Sequence, residues 1–175
     1  MSTDLRYPIG PFKFDGDVSP ARRAARVDDI AAAPAALRAA VRGLDDRQLD
    51  TPYRLGGWTV RQVAHHVPDS HMNAYIRMKL CITEDVPTVK PYDEKSWAEL
   101  PDGRTGPVER SLVLLETLHE RWVRFLHALP AEAFGRTVIH PESGIMSLDA
   151  LVAMYAWHGQ HHAAQVTALR ERSGW

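Results

Sequence analysis

Four stretches of the chain carry apolar residues at the three- to four-residue spacing of one helix face. Each stretch opens with a capping residue or with a proline, which suits the first turn of a helix. The predicted helices begin at Ser19-Pro20, Thr59, Pro107 and Ser147. The connectors between them are longer than tight turns, so we predict an all-α fold, a four-helix bundle. No composition shift divides the chain, and we expect residues 1–175 to form a single domain.

The segments around these helices suggest further features. Residues 1–18 are rich in proline and glycine, and we expect an irregular N-terminal arm that lies against the bundle. Pro34 falls inside the first helix, where it predicts a kink or a break into two helices. Pro68 falls inside the second helix, where it predicts a bend. The stretch from Glu84 to Gly106 predicts a long loop, and loops of this length are often functional. Val138-Ile139-His140 predicts a short extended piece.

Charge and composition narrow the classes of partner. The 175 residues have a formal net charge of -1, which favours neither nucleic acid nor an anionic membrane surface. No stretch approaches the roughly 18 apolar residues of a membrane span. The single cysteine, Cys81, excludes an internal disulfide and suits a reducing compartment. We therefore predict a cytoplasmic protein without a nucleic-acid or membrane partner.

Three of the nine histidines lie close together in the last predicted helix, at His158, His161 and His162. On a helical wheel, His158 and His162 fall within the inward apolar face, and His161 falls at its edge. Two imidazoles one turn apart can share a divalent metal, as the His-x-x-x-His pair of metalloproteases does. Gly159 stands where that motif has its general-base glutamate. The pair therefore predicts a metal site without that protease chemistry.

The second helix can supply a third ligand, because it carries His65, His66 and His71. The wheel places His65 on the outside and favours His71 as the inward residue, with His66 about a quarter-turn away. Pro68 makes the phase unreliable, so the choice stays open. Three neutral imidazoles leave positions for water or substrate, which is typical of a catalytic site, and fit zinc, nickel, iron or manganese. His119 lies on an apolar face and is predicted to be a core residue.

Longer motifs are spread over nearly the whole chain: Tyr7–Gly10 (YPIG), Leu49–Arg54 (LDTPYR), Gly56–His66 (GGWTVRQVAHH), Asp69–Asn73 (DSHMN), Lys90–Glu94 (KPYDE) and Trp157-His158-x-x-His161-His162. They resemble the DinB-like metalloprotein superfamily, and most closely its YfiT-type branch. That branch includes the bacillithiol S-transferases and proteins regarded as metal-dependent hydrolases. The resemblance implies a four-helix bundle, a homodimer and one divalent metal ion, zinc or nickel. By position, it implies the ligands His66, His158 and His162, and so selects His66 where the wheel favours His71.

Two chemistries suit such a site. A metal ion with open positions can acidify a bound water for hydrolysis, or it can hold a thiol as its nucleophilic thiolate. We predict a metal-dependent transferase that conjugates a low-molecular-weight, bacillithiol-like thiol to an electrophile, the thiol being implied by the resemblance. The alternatives are a metal-dependent hydrolase with the same ligands and a non-catalytic, metal-binding stress-response dimer. No catalytic general base is identified from the sequence.

Overall fold

The computed structural model describes residues 4–175, which are mainly helical. The helices are α1 (Pro20–Val41), α2 (Asp46–Leu49), α3 (Val60–Thr83), α4 (Glu94–Ala98), α5 (Pro101–Thr105), α6 (Val108–His127) and α7 (Leu148–Ser173). A 3₁₀ turn at Ala131–Gly135 precedes an antiparallel hairpin of β1 (Thr137–His140) and β2 (Gly144–Ser147). The four long helices form a bundle in which α1 and α3 each pack against both α6 and α7. The predicted four-helix bundle is confirmed, and the hairpin is an addition to it.

The helix starts follow from local side-chain chemistry. The Ser19 side chain accepts a hydrogen bond from a backbone N–H in the first turn of α1, and Ser147 does the same for α7. Thr59 and Gln62 form a reciprocal capping box at the start of α3. Gly174 ends α7 in the left-handed conformation, with φ of 67°, which glycine adopts without a steric penalty. These ends agree with the sequence prediction.

One of two expectations about irregular structure is answered in part, and the other was wrong. Helix α1 continues through Pro34, so the break is excluded, while the kink there and the bend at Pro68 in the continuous helix α3 stay predictions. Each proline removes one helical hydrogen bond, but α1 buries one face and α3 most of its residues against the bundle, and this packing outweighs the loss. The predicted long loop from Glu84 to Gly106 instead contains α4 and α5. Asp93 caps α4 by accepting two backbone N–H bonds, a local signal that the length of the connector concealed.

The N-terminal segment lies along the bundle without regular structure. Residues 4–18 form neither helix nor strand, and residues 1–3 of the predicted arm lie outside the described part of the chain. The Gly10 carbonyl accepts a hydrogen bond from the Trp157 indole at 3.1 Å. The Arg6 carbonyl accepts one from the Gln165 side chain at 2.9 Å. Both donors are on α7, so the arm is held beside the helix that carries the histidine cluster.

The bundle core is divided into two apolar clusters. One contains Val27, Ile30, Met78, Trp122 and Leu151, and the other contains Leu37, Val63, Leu112, Leu115 and Val166. Along α3, α6 and α7, four buried histidines and the half-buried His158 fall where one cluster gives way to the other. We refer to His66, His71, His119, His158 and His162 as the histidine layer. In residues 4–175, no helix is both long enough and apolar enough to cross a membrane.

Candidate metal centre

The three histidines selected by the resemblance meet inside the bundle. His66 extends from α3, and His158 and His162 extend from successive turns of α7. One ring nitrogen from each lies within 4.8 Å of the other two. The Nε2 atoms of His158 and His162 are 3.2 Å apart. The structure therefore brings these three side chains together, and their binding of a metal stays a prediction.

The protonation and spacing of these rings fit a shared ion. Burial lowers the pKa of His66 to about 4 and holds the pKa values of His158 and His162 well below their usual range. The rings are therefore neutral near pH 7, and each offers one lone pair. In a tetrahedral zinc site, metal–nitrogen bonds of about 2.0–2.1 Å place neighbouring nitrogens about 3.3 Å apart. The His158–His162 spacing agrees with this value.

Gln165 fixes the tautomer of His162. The Arg6 carbonyl can only accept, so the Gln165 amide nitrogen must face it, and the amide oxygen faces the other way. That oxygen lies 2.9 Å from Nδ1 of His162 and accepts the proton that Nδ1 carries. Nε2 of His162 is then unprotonated and directed into the cluster. A carbonyl that orients a histidine in this manner is a regular feature of metal sites.

His66 has the opposite character, because its ring makes no hydrogen bond to any described residue. The residue is only 5% exposed, and Trp58 packs on its ring at a centroid distance of 4.6 Å. His66 lines the cavity, and neither of its ring nitrogens is among the buried atoms that lack a hydrogen-bond partner, so the ring is open to that space. A bound cation would take one of its lone pairs there. The donor set thus fits a divalent metal by charge, by spacing and by an accessible nitrogen.

Two histidines of α3 lie elsewhere than the helical wheel predicted. His71 does point inward, but its Nε2 lies 3.0 Å from Nδ1 of His158, on the far side of that ring from the cluster. His71 is therefore behind a candidate ligand and is not one of the three. His65 was wrongly expected to face outward. It is 8% exposed, with Ser111 Oγ 2.7 Å from its Nδ1 and the Gly106 carbonyl 3.0 Å from its Nε2.

His119 and His161 lie where the sequence analysis placed them, in the core and at the edge of the cluster. His119 is buried between the helices, as expected of a core residue. His161 lies beside the cluster, where its ring stacks on Trp157 at a centroid distance of 4.3 Å. Its Nε2 accepts a hydrogen bond from Gln165 at 3.0 Å, which places the ring proton on Nδ1. That Nδ1 has no partner among the described residues.

A cavity of about 580 Å³ leads to the three clustered histidines. This volume is within the range of small-molecule sites. Its other walls are aromatic or charged side chains, among them Tyr7, Tyr53, Trp58, Trp157, Arg6, Arg54, Glu94, Lys95 and Glu99. Sequence reasoning missed the contribution of the N-terminal arm and of Gln165. The role of Gln165 could have been suspected from its position, one helical turn after His161 and His162.

The fold and the cluster together define a class of protein, and sequence comparison agrees with it. The profile of the DinB superfamily matches residues 29–166, so the chain belongs to that superfamily. The chain is 54% identical to a Bacillus mycoides (strain KBAB4) protein named "Putative metal-dependent hydrolase", over 98% of this chain and 99% of that protein.

Solved structures extend the comparison. YfiT from Bacillus subtilis, described as a probable metal-dependent hydrolase with an unusual four-helix bundle topology, is 46% identical to this chain. The two superpose with a TM-score of 0.95 over 98% of each chain. The four-helix bundle protein TT2238 has a TM-score of 0.56 at 20% identity, over 87% of this chain and 99% of that one. The second likeness concerns the fold alone.

Proposed function

We propose that this chain is a metal-dependent enzyme in which His66, His158 and His162 bind one divalent ion, zinc or nickel. The observation that carries the proposal is the convergence of three neutral histidines at a cavity large enough for a small molecule. Structural zinc sites are usually closed by four protein ligands, whereas catalytic sites use three and keep a position for water or substrate. Three ligands beside a cavity correspond to the catalytic arrangement.

The reaction that we propose is the transfer of a low-molecular-weight thiol to an electrophile. Neutral ligands leave the full charge of the ion in the site, and this charge favours a bound anion such as a thiolate. The chain's own cysteine, Cys81, is buried in an apolar cluster, so a thiol nucleophile has to come from a substrate. Arg6, Arg54 and Lys95 border the cavity and suit a thiol with acidic groups, such as a bacillithiol-like compound.

Hydrolysis is the second candidate, and the names of the relatives favour it. The same ion would lower the pKa of a bound water and supply hydroxide as the nucleophile. Glu94 lies in the cavity wall, and partial desolvation there raises the pKa of its carboxyl group, although the residue remains exposed. A carboxyl group with a raised pKa is suited to general acid–base work.

The stretch from Glu84 to Gly106 favours catalysis over metal storage. It contributes Glu94, Lys95 and Glu99 to the cavity wall, and a non-catalytic metal-binding dimer would not need such a wall. We retain the homodimer as part of the proposal. Light scattering of the full chain tests it directly, and a monomeric mass would remove it.

One assay separates the two reactions. The metal-loaded chain is incubated with an electrophilic dye and a panel of cellular thiols, and separately with ester and amide substrates. We expect conjugate formation that depends on both the metal and one thiol of the panel. Turnover of an ester or amide without any thiol would establish the hydrolase instead. Stoichiometric metal binding without turnover in either arm would leave the metal-binding dimer.

A further inference from the structure

Behind the candidate metal ligand His158, hydrogen bonds connect all four long helices in series. Nδ1 of His158 on α7 lies 3.0 Å from Nε2 of His71 on α3. Nδ1 of His71 lies 2.7 Å from Nε2 of His119 on α6. Nδ1 of His119 lies 2.7 Å from the carbonyl oxygen of Ile30 on α1. Each ring therefore uses Nδ1 toward the next member of the series, and His71 and His119 use Nε2 toward the previous one.

The carbonyl at the end of the series is free because of a proline. In a regular helix, the Ile30 carbonyl would accept from the backbone N–H four residues later, at position 34. Pro34 has no N–H, so this carbonyl lacks its helical donor. The His119 ring takes the place of that donor. The internal proline, which otherwise only weakens α1, thus creates an acceptor at the depth of the histidine layer.

The carbonyl fixes the direction of every bond in the series. A carbonyl oxygen only accepts, so Nδ1 of His119 carries a proton. His71 is fully buried, no described carboxylate bonds to any of the three rings, and an imidazolium there would be costly. The three rings are therefore neutral, each with one donor and one acceptor nitrogen.

Neutral rings transmit the choice of tautomer along the series. His119 has its proton on Nδ1, so its Nε2 accepts from Nδ1–H of His71. His71 Nε2 then accepts from Nδ1–H of His158, and Nε2 of His158 is left without a proton. We propose that His71 and His119 are positioning residues, which hold His158 in the tautomer whose Nε2 lone pair faces His66 and His162. This inference rests on the proposed function, because it assigns the two residues to the metal site proposed there.

This control of the His158 tautomer matters, because free neutral histidine prefers to carry its proton on Nε2. Without the series, His158 would place a proton on the nitrogen that has to bind the ion. Binding would then require proton movement and reorientation of the ring. His162 is held in the same tautomer by the shorter path through Gln165 to the Arg6 carbonyl. The tautomer of each candidate ligand on α7 is thus set by a backbone carbonyl. The Arg6 carbonyl acts on His162 through Gln165, and the Ile30 carbonyl acts on His158 through His119 and His71.

The first test needs neither a variant nor a metal. Long-range proton–nitrogen NMR spectra of the full metal-free chain distinguish a protonated ring nitrogen from a bare one. We expect His119, His71 and His158 all to carry the proton on Nδ1 near pH 7. A proton on Nε2 of His158 would overturn the proposal, and this readout is independent of activity.

The second test uses a matched pair of variants, His71→Gln and His71→Leu. The glutamine side chain can place an oxygen near the former Nε2 and accept from Nδ1–H of His158, whereas leucine cannot accept. Loss of an outer hydrogen-bond partner typically weakens metal binding by about 10- to 100-fold. We expect that loss for His71→Leu in calorimetric titration with Zn²⁺, an affinity close to wild type for His71→Gln, and a proton on Nε2 of His158 in the leucine variant.

The outcomes separate this inference from the proposed function. If the wild-type chain binds neither Zn²⁺ nor Ni²⁺, the metal site itself is wrong. If the wild type binds the ion and a folded His71→Leu chain binds it equally well, the positioning role is wrong and the metal site stands. Circular dichroism of each variant establishes that it is folded, and the wild-type spectra remain decisive should a variant fail to fold.

Discussion

Leu115 and His119 lie one turn apart on α6, and both are buried, at 0% and 2% exposed. Leu115 packs in an apolar cluster, where the removal of its surface from water is favourable. His119 belongs to the histidine layer, where burial is unfavourable unless each ring nitrogen is paired. Both nitrogens of His119 do have partners, one on α1 and one on α3. The same face of α6 thus carries Leu115, whose burial stabilises the fold, and His119, whose burial is tolerated only because the fold provides hydrogen-bond partners for its ring.

The comparison extends across the bundle. The two apolar clusters need no ligand to be fully packed. In the histidine layer, only the rings that lie away from the cavity have all their hydrogen bonds. His71 and His119 have all their bonds, but His66 has none from the described residues and lies at the cavity. The layer is therefore the part of the core that a ligand can complete. Near neutral pH, the clusters should control stability, and the layer should control metal binding.

The largest expected effect is loss of the metal from His162→Ala. The substitution removes one of three ligand nitrogens, and loss of an outer partner alone already costs about 10- to 100-fold in affinity. We expect more than about a 100-fold weakening, with loss of activity alongside it. Elemental analysis of the purified variant measures the bound metal.

The matched control is the neighbouring histidine. His161→Ala removes a ring that lies beside the cluster but outside the three-nitrogen set, so the metal content should stay at the wild-type level. Full metal content in His162→Ala would remove that residue from the ligand set. Loss of metal from both variants would mean that the local packing of α7, and not ligand identity, determines binding.

The next effect in size is acid destabilisation of the metal-free chain. Burial lowers the pKa of His119 and of His66 from 6.5 to about 4. Between these values the unfolded chain binds more protons than the folded one, so the free energy of unfolding falls as the pH is lowered from 6.5 to 4. Each such histidine contributes on the order of 3 kcal/mol to this loss. Urea unfolding followed by circular dichroism between pH 7.5 and pH 4.5 measures it, and a constant free energy over that range would contradict the neutral layer.

Leu115→Ala tests the other half of the comparison. Leu115 is fully buried in its cluster, and such a truncation costs about 2–5 kcal/mol of stability. The metal content of the folded variant should be unchanged, because no described histidine nitrogen bonds to this side chain. Thermal unfolding and elemental analysis of the same sample provide both readouts. A variant that loses metal while it remains folded would show that the clusters and the layer are not separable.

Local signals were read reliably from the sequence. Ser19, Thr59 and Ser147 cap their helices because capping depends on a few consecutive residues. The inward position of His158 and His162 followed from periodicity, since α7 has long apolar stretches on both sides of the pair. The hairpin partner of β1 and the short helix α5 were missed, because such short elements are stabilised by tertiary contacts that a local pattern does not contain. Helix α4 was missed although Asp93 caps it locally, because the length of the connector concealed that signal.

Periodicity failed on α3 for a physical reason. A helical wheel separates an inner from an outer face only where one face meets solvent. Every residue from Val60 to Pro68 is buried, because the segment containing α4 and α5 covers the side of α3 that the bundle leaves open. His65, His66 and His71 are therefore all buried, and the wheel could not rank them. The resemblance selected His66 because motif position is independent of which face is covered.

The smallest expected effect comes from Gly159, where α7 packs against α1 beside the histidine layer. A Cβ at this position would lie 2.6 Å from Cβ of Ala33 on α1 and 3.4 Å from Cε1 of His71. The glycine, which the sequence marked only as a missing glutamate, thus permits the close approach of α1 and α7 beside the His71 ring. Gly159→Ala gains roughly 1 kcal/mol of helix propensity but forces the helices apart, and overpacking of this kind costs about 1–3 kcal/mol.

We therefore expect Gly159→Ala to lower the free energy of unfolding by up to about 2 kcal/mol, the difference of these two effects. The His71 ring would stay at an ordinary van der Waals distance, so the expected effect is confined to the packing of α7 on Ala33, and urea unfolding measures it. Gly135→Ala is the matched control, since a Cβ there meets no atom within 4 Å. Equal stability of the two variants would mean that α1 and α7 can separate freely at this point.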